Sequence, residues 1–255
     1  MKNTRLVHKD GANVVSKPGV VILEYFKQIV PTLGLATATI NGTYPPENEG
    51  IWSINEQVDE MYYVLQGEGT IVYEDGRTIT LKKNSAAYIP QGLKFRVENA
   101  RNLEVVVPTG PAWFEGQHKY IKPVQFATKS LPNARDDIAP DGSDVRILLG
   151  LSGGGMAHFK LGPNQISKAV THRTVEEIWF FLSGRGEMWR KQDGREEIVS
   201  LGPHICITIP LGTHFQFRSI GDEPLEAIGV TMPPWPGEGE AMVISGKWEP
   251  TFPER

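Results

Sequence analysis

One cysteine, Cys206, is all the chain holds, so an intrachain disulfide is excluded and a reducing cytoplasm is the expected setting. Cys206 stands in an apolar run and reads as a packing residue. No stretch reaches the roughly eighteen consecutive apolar residues of a membrane helix. The segment Met1 to Asp10 is charged where a signal peptide needs an apolar core. Basic clusters are missing as well: 26 Lys and Arg stand against 30 Asp and Glu, for a formal net charge of −4. Nucleic-acid and membrane partners are therefore not expected, and a small molecule is. No helical stripe of any length runs through the chain. Its 27 glycines and 19 prolines among 255 residues suit short strands joined by tight turns, and the expected class is all-β.

The chain repeats itself. Glu60-Met61-Tyr62-Tyr63-Val64-Leu65-Gln66-Gly67-Glu68-Gly69 returns as Glu177-Ile178-Trp179-Phe180-Phe181-Leu182-Ser183-Gly184-Arg185-Gly186. Each copy is an acid, five aromatic or aliphatic residues, a polar residue and Gly-x-Gly. A hairpin signal follows in both, Asp75-Gly76-Arg77 and Asp193-Gly194-Arg195, since Asp-Gly between extended runs favours a tight turn. Next come Tyr88-Ile89-Pro90-Gln91-Gly92 and Thr208-Ile209-Pro210-Leu211-Gly212, with Phe95 and Phe215 at equal distance beyond their prolines. Corresponding landmarks lie 117 to 120 residues apart, with the slack at the hairpin. The expected organisation is a first barrel over residues 1–111, a connector over 112–144 with bends at Pro123, Pro132 and Pro140, and a second barrel over 145–255.

The Gly-flanked strand, the hairpin and the Pro-x-Gly turn resemble the cupin superfamily, over about residues 20–108 and 140–236. The resemblance implies two tandem jelly-roll β-barrels, a bicupin. Asp59 to Val64 and Pro111-Ala112-Trp113-Phe114 are similar to small single cupins of a sugar-phosphate-isomerase-like kind. His172-Arg173-Thr174-Val175-Glu176-Glu177 and Pro233-Pro234-Trp235-Pro236-Gly237 resemble a second group of single cupins whose function is unsettled. Because single cupins commonly pair, the resemblance implies a monomer or a homodimer.

Metal-dependent cupins hold an ion with two histidines two apart, a glutamate and a later histidine. Alternate strand residues face one side, which points both imidazoles at one ion. In the second half His172 and Glu177 match one histidine and the glutamate, while Val170 and Phe215 stand at the other histidine positions. His214 falls one residue early, on the opposite face. In the first half Ser53, Asn55 and Phe95 replace all three histidines and only Glu60 remains. A site without metal is the leading expectation in both halves. One alternative is kept for the second, where His158, His172 and Glu177 would form a two-histidine, one-carboxylate set for iron, manganese, nickel or zinc.

Strand alternation predicts the inward set: Glu60, Tyr62 and Val64 with Phe95 and Val97 in one barrel, Glu177, Trp179 and Phe181 with Phe215 and Phe217 in the other. Trp179, Phe181, Phe215, Phe217, Tyr62, Phe95 and Asn55 are the expected ligand contacts. A carboxylate inside an apolar barrel has its pKa raised by burial and is suited to acid–base work. Glu177 with His172, then His158 and Glu60, are thus the candidate catalytic residues. Ser152-Gly153-Gly154-Gly155 lacks a lysine and reads as a turn. The expected function is a metal-independent lyase, isomerase or epimerase of a small polar metabolite, sugar or carboxylate, working in the second barrel. Two others stand beside it: a metal-dependent oxygenase or isomerase, and a non-catalytic ligand-binding module.

Overall fold

A computed structural model describes residues 4–30, 33–46, 52–56, 58–110, 127–151 and 154–253. The expected landmarks Pro111 to Phe114, Pro123, Ser152 and Gly153 lie outside the described residues. The strands run β1 (Leu6–His8), β2 (Asn13–Lys17), β3 (Val20–Val30), β4 (Leu33–Tyr44), β5 (Ser53–Ile54), β6 (Asp59–Tyr73), β7 (Thr78–Lys82), β8 (Ser85–Ile89), β9 (Lys94–Gly110) and β10 (Ala127–Ser130). They continue as β11 (Asp136–Ile138), β12 (Asp144–Leu151), β13 (Gly154–Leu161), β14 (Ala169–His172), β15 (Glu176–Ser183), β16 (Gly186–Gln192), β17 (Arg195–Leu201), β18 (Ile205–Ile209), β19 (His214–Ser219), β20 (Leu225–Met232) and β21 (Ala241–Ile244). Helix among the described residues is limited to short 3-10 turns at Lys9–Gly11 and Leu131–Asn133. The chain is all-β, as its composition implies.

Two compact units divide it. One holds residues 10–134 with 151–153, the other residues 1–9, 135–150 and 154–255. This departs from a simple cut into halves, because β1 pairs antiparallel with β18, Leu6 opposite Ile207. The expected connector is also partly built in: β10 pairs with β8, and β11 pairs with β12.

In the first unit the strands form one continuous sheet, β10-β8-β6-β9-β4-β3-β2, with β5 on β9 and β7 on β6. Bulges in the β6–β9 ladder between Val64 and Thr70 bend both long strands, so that their two ends serve two layers. Tyr62, Val64, Phe95, Val97, Val105 and Val107 are buried between those layers. In the second unit the layers are separate sheets, β1-β18-β15-β20-β13-β12-β11 and β17-β16-β19-β14-β21. Trp179, Phe181 and Ile207 from one sheet meet Val170, Met188, Phe215 and Phe217 from the other. Both inward sets match the alternation read from the sequence.

The first glycine of each Gly-x-Gly, inside β6 in one copy and just past β15 in the other, has a steric reason. Gly67 and Gly184 have φ of +74° and +73°, and a Cβ there would stand 2.2 Å from the carbonyl oxygens of Asn102 and Pro224. The hairpins differ. Asp193 and Gly194 both take positive φ in a two-residue turn between β16 and β17. The first copy uses Glu74 to Arg77, closed by the Gly76 N–H donating to the Tyr73 carbonyl at 2.9 Å. That difference shortens the second copy, so the slack in the repeat comes instead from β17, seven residues against five in β7, and from the turn after it.

Candidate functional site

β15 carries Glu177 into the second barrel between two neighbours, Ile209 on β18 and Thr231 on β20. Directly paired residues share a face, so all three look inward. Two residues on, Trp179 turns its indole back, and Nε1 donates to Glu177 Oε2 at 2.9 Å. From the facing sheet, β14 presents His172, whose Nδ1 lies 3.9 Å from the same oxygen. That nitrogen is buried and has no hydrogen-bond partner. The His172 ring is held edge-on between Phe215, centroids 5.3 Å apart, and Trp235, 5.5 Å apart.

The electrostatics of the pair follow from burial. Glu177 is 2% exposed, and loss of hydration pushes its carboxyl up to about 8, with Asp141 and Glu240 adding to the rise against the Trp179 bond. Burial lowers His172 to about 4, despite the same two acids acting the other way. Near neutral pH the pair is therefore mostly carboxylic acid and neutral imidazole. Both acids are themselves fixed. Asp141 accepts from Ser143 N and Oγ at 2.8 and 2.6 Å. Glu240 accepts from Thr174 N, Thr174 Oγ1 and Val175 N at 2.6, 2.7 and 3.0 Å. Burial works to raise Glu240, but those hydrogen bonds together outweigh it and hold it below the ordinary carboxylate value.

His158 corrects the sequence reading. Its neighbours Ala157 and Phe159 pack inward, as part of a small core cluster. His158 itself lies opposite Ile228, and Ile228 opposite Phe180, on the other face of the sheet. There its Nε2 is 3.1 Å from Glu226 Oε2, and that bond lowers the Glu226 carboxyl. Strand alternation sends it away from His172 and Glu177, so the three-residue metal set does not assemble and His158 is no catalytic partner of Glu177.

The remaining donors do not fit a transition-metal ion. Val170 and Phe215 face each other across β14 and β19, at the two positions where the cupin resemblance expects histidines, and offer only hydrocarbon. His214 pairs with Thr171 on the opposite face. No group of three or more His, Cys, Asp or Glu among the described residues could hold an ion, whereas a divalent ion of this kind wants at least three such donors.

The aromatic candidates are packed. Trp179 stacks on Phe159 at 4.8 Å and meets Phe217 at 5.1 Å and Phe215 at 6.1 Å. Phe181, Phe215 and Phe217 are at most 2% exposed, and only Phe215 of the three touches His172. Thr231, Trp235, Phe159, Asp141 and Glu240 are site residues the sequence reading did not select. Arg218 donates to Glu187 Oε2 at 3.0 and 2.6 Å and lies over the Trp248 ring.

In the first barrel Glu60 lies between Ile89 and Thr109. Its Oε1 accepts from Asn55 Nδ2 at 3.1 Å. Burial raises the Glu60 carboxyl against hydrogen bonds from Asn55 and Tyr62. Tyr62 meets Phe95 edge-on at 6.5 Å, and Ser53 pairs with Phe95. Asn55, Glu60, Tyr62 and Phe95 thus lie together.

Two stacked antiparallel layers, repeated, with a glutamate at the same place in each, define a bicupin fold. Residues 42–108 match the cupin domain family. No curated protein matches the sequence. Among solved structures, an oxalate decarboxylase studied for its substrate binding mode superposes with a TM-score of 0.72 at 14% identity, over 94% of this chain and 79% of that one. The formate complex of Lactobacillus farciminis oxalate decarboxylase gives 0.75 at 13%, over 94% and 88%. Bacillus subtilis oxalate decarboxylase, studied for its Mn(II) centres, gives 0.69 at 15%, over 94% and 79%. These likenesses establish the fold. No helix among the described residues is long and apolar enough to cross a membrane.

Proposed function

We propose that this chain is a small-molecule cupin enzyme that moves a proton within an uncharged polar metabolite, as a lyase, isomerase or epimerase, with Glu177 as acid and base. The observation that carries the reading is a fully buried carboxyl, raised to about 8, 3.9 Å from an imidazole whose Nδ1 has no partner. A group with a pKa near working pH both accepts and returns a proton efficiently. As carboxylate, Glu177 takes the proton from a hydroxyl-bearing carbon beside a carbonyl; the C–H electron pair becomes a C=C bond, the carbonyl π pair moves to its oxygen to give an enediolate, and the adjacent hydroxyl proton passes to that oxygen. The protonated Glu177 then returns it to the neighbouring carbon, or a leaving group departs. His172, lowered to about 4, stays neutral and serves as a hydrogen-bonding partner to the ligand.

The charges acting on the pair are both acids, Asp141 and Glu240. Arg190, on the same concave face as its cross-strand partner Phe215, is turned aside to the Arg5 and Thr208 carbonyls and Glu197. A dianion such as oxalate would meet repulsion here, so an uncharged hydroxycarbonyl compound is the expected substrate class. The test is exchange of the proton α to the carbonyl with deuterated solvent, followed by NMR on uncharged hydroxyaldehydes and hydroxyketones. Exchange should rise with pH through about 8, following Glu177, and fall on the order of 10²–10⁴-fold in Glu177→Gln. No exchange between pH ~6 and ~9, or exchange indifferent to Glu177→Gln, would overturn the assignment. A pure binding module is the second reading, favoured by the absence of a hydrogen bond between His172 and Glu177, and the same absence of exchange would support it.

A further inference from the structure

The stretch from Asn55 to Glu60 and the stretch from His172 to Glu177 are the same piece of the repeat, yet they are fastened differently. In the first barrel the neighbouring proline turn does it: Gly92 N donates to the Asn55 carbonyl at 2.7 Å, and Gln91 N to Asp59 Oδ1 at 2.8 Å. In the second barrel the fastening comes from Glu240, in the segment between β20 and β21. Its backbone carbonyl accepts from Arg173 N at 3.1 Å. Its side chain divides the rest: Oε1 takes the N–H groups of Thr174 and Val175 at 2.6 and 3.0 Å, and Oε2 the Thr174 hydroxyl at 2.7 Å. Ala241, the next residue, pairs with His172, and Trp235 of the same segment packs on the His172 ring. Bonds to a carboxylate are about twice as strong as neutral ones, which makes Glu240 a firm anchor for this turn.

We propose that Glu240 is a positioning residue of the second barrel, which fixes the turn between His172 and Glu177 and with it the approach of the imidazole to the carboxyl. The two groups stand 3.9 Å apart, and His172 Nδ1 has no hydrogen-bond partner. No bond within the pair sets that distance, so the backbone between them and the packing of the ring must. A misplacement of about 1 Å in such a pair costs on the order of 10²-fold in rate. The segment has a second attachment. Gln216, fully buried, accepts from Lys247 N and Trp248 N at 2.8 and 2.9 Å and donates to the Trp248 carbonyl at 2.8 Å. Loss of the Glu240 side chain therefore loosens the turn without freeing the whole segment. The bearing on proton transfer rests on the reading of Glu177 as acid and base. The hold on the turn rests on the hydrogen bonds themselves.

Amide hydrogen exchange and histidine-ring NMR on the full chain test the hold, and solvent-deuterium exchange into dihydroxyacetone tests its use. In Glu240→Ala the Thr174 and Val175 amides should exchange about tenfold faster or more, with Phe180 and Val230 unchanged. The His172 ring protons, held edge-on by Phe215 and Trp235, should move toward their positions in an unfolded peptide. On the plateau above about pH 8, kcat should fall about 10²-fold with KM little changed. Glu240→Asp, which withdraws the carboxylate by one methylene, serves should Glu240→Ala not fold. Glu240→Gln keeps a carbonyl oxygen for both amides and an NH2 for the Thr174 hydroxyl, so it should restore the amides, the ring signals and kcat. Unchanged amides in Glu240→Ala would overturn the anchor. Faster amides with unmoved ring signals, or with kcat intact, would leave a structural tie and overturn the positioning role. A Glu240→Gln chain as impaired as Glu240→Ala would overturn it too, by making charge and not hydrogen bonding the cause. Wild-type protein without deuterium exchange would sink the reading of Glu177 instead, and the amide and ring signals would still decide Glu240.

Discussion

Glu177 and His172 are each held in the uncharged form, and each makes stability depend on pH with opposite sign. The Glu177 carboxyl sits at about 8 when folded against an ordinary value near 4.5. Between these values the folded state binds the extra proton, so stability falls as pH rises. His172 sits at about 4 against 6.5. There the unfolded state binds the proton, so stability rises with pH over that window. The two slopes offset each other below about pH 6.5, and the Glu177 slope stands alone from there to about 8. Glu177→Gln should therefore stabilise the protein by an amount that grows about 1.4 kcal/mol per pH unit across the Glu177 window. Urea unfolding of both proteins at several pH values measures it, and a pH-independent difference would count against a buried neutral acid. At this scale the glutamates and the Asn55 and His172 positions were legible, because two-residue alternation puts them inward. His158 was not, since its face depends on the register of β13, which no motif marks.

The first glycine of each Gly-x-Gly is there for a reason that can be tested. Gly184 has φ +73°, and its absent Cβ would fall 2.2 Å from the Pro224 carbonyl oxygen. Both the backbone conformation and the close approach oppose any side chain. Gly184→Ala should lose about 2–4 kcal/mol in denaturant unfolding, whereas Gly194→Ala, with φ +75° but nothing within 4 Å of its Cβ, should lose about 1 kcal/mol. Equal losses would show that backbone conformation alone sets the cost. Element by element, the Gly-x-Gly strand, the Asp-Gly hairpins and the proline turns could be read because each is local chemistry. The pairing of Glu60 with Thr109 and of Glu177 with Thr231 could not. It joins β6 to β9 and β15 to β20, and no local signal announces which residues will face each other. Asp141 and Glu240 escaped for a related reason: both sit outside the strands, and only packing brings them near His172.

Across the whole molecule the twofold repeat was legible, but the path of the chain between units was not. Leu6, Val7 and His8 form a three-residue strand, too short for any alternation to show. Arg190 fixes that strand's neighbourhood. Its guanidinium is 1% exposed; Nη1 donates to the carbonyls of Arg5 and Thr208 at 3.1 Å each, and Nη2 to Glu197 at 2.7 Å. Arg5 N returns a bond to Thr208 Oγ1 at 2.8 Å. Arg190→Met should leave two buried carbonyls under-satisfied and lower stability by roughly 2–4 kcal/mol. Hydrogen exchange should then quicken in residues 4–8 and 205–209 and stay unchanged in β6 and β9. Unchanged protection in residues 4–8 would mean that the β1–β18 ladder needs no such anchor.

The β1–β18 pairing also bears on how the chain is made. Arg5 and Thr208 are 203 positions apart, so β1 is translated long before its partner exists. At about 5–20 residues per second the ribosome takes some tens of seconds or less to reach it. For that interval a short strand with open N–H and C=O groups must wait unpaired. The sheet that holds β1 needs both β18 (Ile205–Ile209) and β20 (Leu225–Met232) to have left the ribosomal tunnel, so closing this loop, whose cost grows only slowly with length, is a late event in its assembly.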